Sequence, residues 1–342
     1  FTNPLWFEDM GGFEPEENIA PFVAFSRRMF EEYGSKVERW CTINECGPYA
    51  VMGYGLGVFP PGVKNLQRMA VVLYHLMRAH TAVYDAIKAM PGGERAQVGL
   101  VKNIFQFDPY RRWNLFHWAL CRFADAAYNQ SILGYLQTGR FRIVLPGFVR
   151  VDEHHPGDAL KSDFVGLNYY ANLILSIFMK REPPFEPHAR PGQVLTDMPY
   201  AIYAEGFYRA LMRLKPLNKP VIVTENGIAD DRDDRRALWI ERYTYAMSRA
   251  IADGVDVRGY HYWSLIDNFE WAEGYKMKFG LYDVDFETQK RVLREGSMPF
   301  IEMVNKQGAD KRGYLVDIGD MAPDFTIRYT SGKEERLHDL RG

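Results

Sequence analysis

The 342-residue chain has only three cysteines, Cys41, Cys46 and Cys121. This small, odd number predicts no disulfide framework, and no His-rich spacing indicates a zinc site, so we expect a reducing, cytoplasmic location. No run approaches the roughly 18 consecutive apolar residues that a membrane-spanning helix needs, and the first residues lack the basic flank and apolar run of a signal peptide. We therefore expect no membrane partner.

The chain also lacks an excess of charge of either sign, because 42 Lys and Arg residues are nearly balanced by 44 Asp and Glu residues, for a net charge of −2. No segment is rich in Lys and Arg, so the chain lacks the electrostatic surface on which non-specific binding of nucleic acid or anionic membranes depends. The 47% of hydrophobic residues suffice for a sizeable core. These observations favour a neutral small-molecule ligand and leave the oligomeric state open.

Short apolar runs alternate with segments of helical periodicity between residues 36 and 309, which is typical of a parallel α/β fold. The proline-rich region 178–200 is predicted to be a surface loop. Several predicted strands end at polar or acidic residues, and in a (β/α)8 barrel such positions line the C-terminal face that holds the active site. The predicted strands are Val37–Asn44, Gln97–Asn103, Asp163–Asn168, Pro220–Glu225 and Val257–Ser264, and the predicted helices span about 66–90, 118–137, 203–214, 232–253 and 293–306.

Two glutamates, Glu45 and Glu225, follow apolar strands in similar company, Thr-Ile-Asn-Glu and Thr-Glu-Asn-Gly. Retaining hydrolysis of a glycoside needs one carboxylic acid that protonates the leaving oxygen and one carboxylate, about 5–5.5 Å away, that attacks the anomeric carbon. Either glutamate alone could equally be a solvated residue or the partner of a neighbouring base. Both together favour a catalytic pair.

A third cluster combines aromatic and acidic side chains after the last predicted strand, at Trp263, Glu270 and Trp271. Sugars present flat C–H faces as well as hydroxyls, so sites that bind them join aromatic platforms to carboxylates. The alternative is that these tryptophans belong to the core, and for Trp263 a mixed role stays open.

These residues together resemble glycoside hydrolase family 1, the retaining β-glucosidase and β-galactosidase family. The resemblance covers about residues 1–309 and implies a (β/α)8 TIM barrel. Its motifs are Asn3–Trp6 with Gly11-Gly12, Thr42–Glu45, Gly53-Tyr54 with Phe59–Gly62, Asp163–Tyr170, Thr224–Gly227 and Trp263–Trp271.

The resemblance also implies roles for the strand-end residues. Glu45 would be the general acid/base and Glu225 the nucleophile. Asn44 would bind the sugar 2-hydroxyl, Tyr170 would hydrogen-bond Glu225, and Asn168 would help to order the site around Glu45. Two carboxylates and a water suffice for this chemistry, so no metal or organic cofactor is expected.

The resemblance further implies that Trp263 forms the floor beneath the sugar, with Glu270 and Trp271 gripping its hydroxyls. Family members that cleave 6-phosphosugars are expected to have a small residue in place of Glu270, whose charge would repel phosphate. We therefore expect an unphosphorylated β-glycoside or oligosaccharide. The alternative that Lys276 and Lys278 bind a phosphate group of the sugar stays open. Which sugar is preferred is not indicated.

The chain departs from the family pattern in two ways that bear on activity. Family members normally carry further residues before the equivalent of Phe1, with the first barrel strands and a Gln, a His and an Arg of the site. The sequence therefore predicts an incomplete barrel with weak or no turnover. Cys46 also replaces a usual Pro, which predicts a tolerated small neighbour and leaves a reactive thiol as the alternative.

Residues 310–342 form a second segment with a hairpin-like pattern. From 314 onward the segment resembles the start of a thioredoxin-like peroxiredoxin domain, including Ala322–Phe325 and Leu340–Gly342. That group's reactive cysteine would lie after Gly342, so no redox function follows for this chain. Two alternatives to a hydrolase remain: a non-catalytic glycoside-binding pseudo-enzyme and, less favoured because no Cys-x-x-Cys pair is present, a thiol-redox protein.

Overall fold

The parallel strands expected from the apolar runs are present in a computed structural model, which describes residues 3–177, 190, 192–307, 326–328 and 334–336. The chain divides into two units. The first contains residues up to Asn168 together with Ile174–Ile177 and Pro216–Pro220, and the second contains Tyr169–Leu173, the described residues from 190 to 215, and those from Val221 onward.

The first unit is built on a parallel ladder in which β2 (Gln97–Asn103) lies between β1 (Arg39–Asn44) and β6 (Phe164–Asn168). Gly99 of β2 pairs with Phe164 of β6, and a side chain at Gly99 would lie 2.6 Å from the Phe164 carbonyl oxygen, so only glycine fits this close approach. β4 and β5 form a separate antiparallel hairpin. The strands are β1 (Arg39–Asn44), β2 (Gln97–Asn103), β3 (Gln106–Pro109), β4 (Arg140–Leu145), β5 (Val149–His154), β6 (Phe164–Asn168) and β7 (Asn172–Leu175), of which Ile174 and Leu175 belong to this unit.

Helices cover this ladder. The longest begins where the Asn65 side chain accepts hydrogen bonds from the Gln67 and Arg68 amides. Its apolar face packs with Phe30 against Val98 of β2, which buries one part of the core. The helices of the first unit are α1 (Leu5–Asp9), α2 (Ile19–Tyr33), α3 (Cys46–Ala50), α4 (Leu66–Lys88), α5 (Leu115–Asp125) and α6 (Ser131–Thr138).

The second unit contains a second parallel pair, in which Val223 of β8 lies beside Tyr260 of β9. Trp239 and Tyr243 stack with ring centroids 3.9 Å apart inside this unit. The elements are α7 (Ala204–Leu214), β8 (Val221–Asn226), α8 (Arg236–Ala252), β9 (Val257–Tyr262), the antiparallel pair β10 (Tyr282–Val284) and β11 (Arg291–Leu293), α9 (Met298–Gln307), and the antiparallel pair β12 (Thr326–Arg328) and β13 (Glu334–Arg336).

The structure corrects several sequence-based boundaries. The helix expected over 232–253 begins only at Arg236, because the Asp230 carboxylate accepts hydrogen bonds from the Arg235 and Arg236 amides and so replaces the missing turn. The helix expected over 118–137 consists of α5 and α6 joined by a π turn at Ala126–Gln130. The strand expected to reach Ser264 ends at Tyr262.

β12 and β13 match the hairpin-like pattern of the tail, whereas its peroxiredoxin-like motifs and most of the loop at 178–200 lie outside the described residues. Across the described ranges, no helix has the length and apolar character needed to span a bilayer.

Candidate active site

Glu45 stands directly after β1, where the backbone changes direction. Its amide donates to the Val101 carbonyl oxygen over 3.0 Å, and Cys46 then starts α3. Its φ of 53° lies in the left-handed region, which a residue with a β-carbon rarely adopts. Backbone outliers of this kind cluster at functional sites, where the surrounding fold holds them in place.

Asn168 holds the Glu45 carboxyl group from the end of β6. Its side-chain nitrogen donates to Glu45 Oε1 over 2.7 Å and to Asn44 Oδ1 over 3.1 Å. Asn168 is completely buried and pairs in register with Asn103 of β2. The carboxyl ends of three parallel strands therefore bring the predicted residues Asn44, Glu45 and Asn168 together within the first unit.

Cys46 and Lys102 lie completely buried beside this group. Burial raises the pKa of the Cys46 thiol to about 11, with Lys102 opposing and Glu45 adding to the rise. Burial likewise raises the pKa of Cys41 and brings that of Cys121 to about 11. Neutral thiols are poor nucleophiles, so this chemistry disfavours both the reactive Cys46 and the thiol-redox protein.

Lys102 is a residue that the sequence reasoning missed. Its ammonium group donates to the backbone oxygen of Asn103 and lies 4.0 Å from the centre of the Tyr128 ring. Asn103 in turn donates to the Tyr128 hydroxyl. The only sequence signal was a single lysine in an otherwise apolar strand, a position where charged residues are rare unless they are partnered.

Glu225 lies in the second unit, near the end of β8. The Tyr170 hydroxyl donates to Glu225 Oε2 over 2.8 Å. Behind it, Asn226 donates to the Tyr169 carbonyl oxygen over 2.5 Å and accepts from the Tyr260 hydroxyl over 3.0 Å. A hydrogen bond donated to a carboxylate favours its ionised form, which is the form that a nucleophile requires.

Trp263 and Glu270 lie close to this carboxylate. Burial raises the pKa of Glu270, a hydrogen bond from Trp263 opposes the rise, and the charges of Glu225 and Glu273 add to it. Trp271 has a φ of 44° and leaves 52% of its surface exposed. The second unit thus brings two carboxylates and the Trp263 indole into one region, as a sugar site requires, and Trp271 follows Glu270 in the chain.

The loop that carries Glu270 is anchored by a buried ion pair. Arg294 binds both oxygens of Asp267, over 3.1 and 2.8 Å, and the Gly280 amide donates to Asp267 over 2.9 Å. Lys278 Nζ lies 3.9 Å from Asp267 and 5.1 Å from the centre of the Phe286 ring. Lys278 is therefore engaged in the scaffold of the loop.

The eight predicted site residues fall into two groups. Those of the first unit share the hydrogen bonds of Asn168. In the second unit Tyr170 hydrogen-bonds Glu225, Glu270 is close enough to feel its charge, Trp263 hydrogen-bonds Glu270, and Trp271 follows Glu270 in the chain. Their catalytic and binding roles stay predictions. The first group is Asn44, Glu45 and Asn168, and the second is Tyr170, Glu225, Trp263, Glu270 and Trp271.

Comparison with known proteins agrees with these features. The sequence profile described as Glycosyl hydrolase family 1 matches residues 1–309. The chain belongs to this family. Beta-glucosidase A of Thermotoga maritima is 30% identical over 333 residues, which cover 90% of this chain and 72% of that protein. A 6-phospho-beta-galactosidase of Streptococcus mutans is 28% identical over 355 residues, covering 91% and 75%.

Solved structures of family 1 extend the comparison to the fold. A beta-glycosidase from Pyrococcus horikoshii matches with a TM-score of 0.74 and 32% identity, covering 86% of this chain and 67% of that one. Family 1 structures are (β/α)8 barrels, and the predicted α/β barrel class is thereby confirmed. Membership of family 1 also makes the chain a glycoside hydrolase.

Proposed function

We propose that the protein hydrolyses terminal β-D-glycosides of the glucoside or galactoside type with retention at the anomeric carbon. The observation that carries this proposal is the hydrogen bond from Tyr170 to Glu225 at the end of a parallel strand in a family 1 chain. This geometry suits a carboxylate that must stay ionised to attack. The name of the Thermotoga maritima relative, a beta-glucosidase, supports the substrate class.

In the first step, the Glu225 carboxylate attacks the anomeric carbon and forms a glycosyl ester. The bond to the leaving oxygen breaks, and Glu45 gives its proton to that oxygen. The amide of Asn168, 2.7 Å from Glu45 Oε1, fixes the orientation of this carboxyl group. Because the charge of Glu225 disappears on esterification, Glu45 can then ionise.

In the second step, the Glu45 carboxylate takes a proton from water as the water oxygen attacks the anomeric carbon. The ester bond to Glu225 breaks, and the sugar leaves with its original configuration after two inversions. The two glutamates and one water molecule complete the reaction, and no oxidant, reductant or other co-substrate takes part. Trp263 and Glu270 hold the sugar during both steps, one through its flat face and one through its hydroxyls.

We propose that the sugar carries no phosphate. Glu270 is half-buried with a raised pKa and would lie where a phosphate would bring further negative charge. Lys278 is engaged by Asp267 and Phe286, which leaves it poorly placed as a phosphate grip. The expected result is cleavage of an aryl β-glucoside in preference to its 6-phosphate.

We further propose that residues 1–309 form the hydrolase segment and that residues 310–342 are a separate, thioredoxin-like segment without a redox role. The end of the family match at residue 309 supports this division. We also propose a cytoplasmic location, supported by the three free cysteines.

The proposal is tested by incubating the protein with a 2-deoxy-2-fluoro-β-glucoside, which slows ester hydrolysis and traps the nucleophile. Intact mass spectrometry and peptide mapping should show one adduct, on Glu225. Glu225→Gln should form none. The control is Asp285→Asn, at an exposed acidic residue of the same unit, which should react like the parent chain.

An adduct on another residue would contradict the assignment of Glu225. A folded sample that binds glycoside without forming an adduct would favour the glycoside-binding pseudo-enzyme.

A further inference from the structure

An exposed aromatic and basic surface lies in the first unit, outside the residues assigned to catalysis. Trp113, Leu115 and Phe116 leave 75%, 80% and 72% of their surfaces exposed. Large apolar side chains grouped in this way on a surface mark an interaction site more often than chance exposure. We call the group the aromatic–arginine patch, and it consists of Tyr110, Arg111, Arg112, Trp113, Leu115, Phe116 and Trp118.

Hydrogen bonds hold the backbone of the patch in place. The Trp118 indole nitrogen donates to the Arg112 carbonyl oxygen over 2.8 Å, and the Arg111 amide donates to Nδ1 of the buried His117 over 3.1 Å. Asn114 caps α5 by accepting from the Phe116 amide over 2.9 Å. The aromatic rings are therefore displayed by a fixed turn and helix start.

The local charge of this region differs from that of the whole chain. Residues 109–124 contain three arginines and no acidic residue, and they are flanked by Asp108 and the buried Asp125. Arg111 and Arg112 are both exposed, and the Arg111 guanidinium lies 5.6 Å from the centre of the Trp113 ring. The chain as a whole is nearly neutral, but this part of its surface is cationic.

The patch follows the carboxyl end of a central strand. β2 ends at Asn103, and the chain runs through β3 to the patch at the start of α5. The parallel neighbour β1 ends at the same edge, directly before Glu45. The patch therefore lies on the connection that leaves this edge of the ladder and leads to α5.

We propose that the aromatic–arginine patch docks the protein on the surface of an anionic lipid bilayer. Tryptophan and tyrosine favour the membrane–water interface, leucine and phenylalanine insert among acyl chains, and arginine binds anionic headgroups. A sugar would need exposed carboxylates or amides beside the rings, and the patch has none, because Asn114 serves as the helix cap. A two-fold pair formed through this patch would bring the arginines of both copies into one interface, which like-charge repulsion disfavours.

This proposal differs from the expectation of no membrane partner, which rests on net charge and on the lack of long apolar runs and stays a prediction that the same experiment tests. It is independent of the proposed hydrolase function, because the test measures binding and not turnover. The full chain is sedimented with vesicles of phosphatidylcholine alone and with vesicles containing about 30% phosphatidylserine, a composition chosen for the surface potential of a cytoplasmic leaflet. We expect binding to the anionic vesicles that is at least fivefold stronger and weakens as salt is raised.

Two variants separate the apolar from the charged contribution. Trp113→Ala with Phe116→Ala, and Arg111→Glu with Arg112→Glu, should each lower binding to anionic vesicles at least fivefold while circular dichroism and the melting temperature stay unchanged. The matched control for charge is Arg27→Glu with Lys36→Glu, at two exposed cations of the first unit. The matched control for apolar exposure is Phe148→Ala, at a side chain that is 70% exposed.

Absence of vesicle binding by the parent chain would overturn the proposal. Equal loss of binding in the patch and control variants would do the same, because it would show an effect of overall charge. If sedimentation velocity without lipid shows a dimer that the Trp113 and Phe116 substitutions dissociate, the patch is a self-association surface and the lipid proposal is wrong.

Discussion

Glu45 and Glu225 have different local surroundings. Glu45 takes a left-handed backbone conformation after β1, and its carboxyl group is held by Asn168. Glu225 stays close to regular strand geometry at the end of β8 and accepts from Tyr170. One amide and one phenol thus give two glutamates different surroundings, which is how two carboxylates acquire different tasks.

Replacing Tyr170 by Phe should slow the glycosylation step roughly 10- to 100-fold, because a hydrogen bond to a charged group contributes about 1.5–3 kcal/mol. Loss of the donor destabilises the ionised form of Glu225, so the acidic limb of the rate profile should move to higher pH. The rate of trapping by the fluoroglucoside measures both effects. Tyr208→Phe, which removes an exposed hydroxyl, is the control and should leave the rate and profile unchanged.

The buried His80 makes the stability of the folded chain depend on pH. Its Nδ1 lies 2.7 Å from Thr42 Oγ1, and burial lowers its pKa to about 4, partly offset by a backbone group at Lys161 and by Asp158. Between pH 6.5 and pH 4 the His80 imidazole binds a proton in the unfolded chain but stays neutral in the folded chain. The free energy of unfolding therefore falls as the pH falls. From pH 7.5 to pH 5 the cost is about 2 kcal/mol.

Urea unfolding at the two pH values measures this cost, and His80→Gln should shrink the difference by a similar amount. His154→Gln, at an exposed position, is the control. An unchanged pH difference in the His80 variant would show that other groups account for the loss.

Among the structural elements, the loop after β9 depends most on a single ion pair. Leu265 and Phe269 on this loop are 64% and 57% exposed, so apolar burial contributes little to its position. Asp267 and Arg294 tie it to the segment after β11. Glu270, three residues further along, therefore depends on this pair for its place.

Asp267→Asn should weaken glycoside binding several-fold with a smaller effect on the rate of glycosylation, because the loop holds the sugar and takes no part in bond breaking. Removing one partner of a buried pair also costs about 3–5 kcal/mol of stability. Calorimetric titration with an iminosugar inhibitor and a urea melt measure the two effects. Glu287→Gln, on the exposed β10–β11 turn, should change neither; unaltered inhibitor binding in the Asp267 variant would exclude the positioning role.

The pattern of elements shows where sequence periodicity is informative. β2 has the bounds that its apolar run predicts, because both of its faces are buried and every residue contributes to the signal. The β4–β5 hairpin was not predicted, because exposed arginines alternate with buried residues and weaken the apolar run. α8 was predicted too long, since Asp230 supplies its cap from outside the helix.

Across the described part of the molecule, buried and half-buried aspartates contribute to the response to acid. Burial would raise the pKa of Asp158, Asp163 and Asp197, but hydrogen bonds and nearby cations more than offset it and lower all three. The same balance lowers the pKa of Asp267, where Arg294 is the main partner. The unfolded chain binds more protons than the folded one between the lowered and the ordinary values, so this stability is present above about pH 4 and lost below it.

The urea midpoint of the full chain should therefore fall steadily from pH 5 to pH 3. Acid titration followed by circular dichroism checks this expectation. A midpoint that holds constant through this range would mean that the aspartate ion pairs contribute nothing measurable to folding.

The sequence alone predicted the strand-end glutamates, the cluster of indoles and carboxylates, and the alternating apolar segments. It could do so because strands are short apolar runs, and the catalytic residues of barrels lie where the strands end. The buried Lys102, the ion pair of Asp267 with Arg294 and the aromatic–arginine patch were not predicted. These features depend on which side chains meet after distant segments pack, and on which remain exposed. Hydrophobic periodicity records whether a residue is buried on average, whereas partners and local charge are decided only by the folded chain.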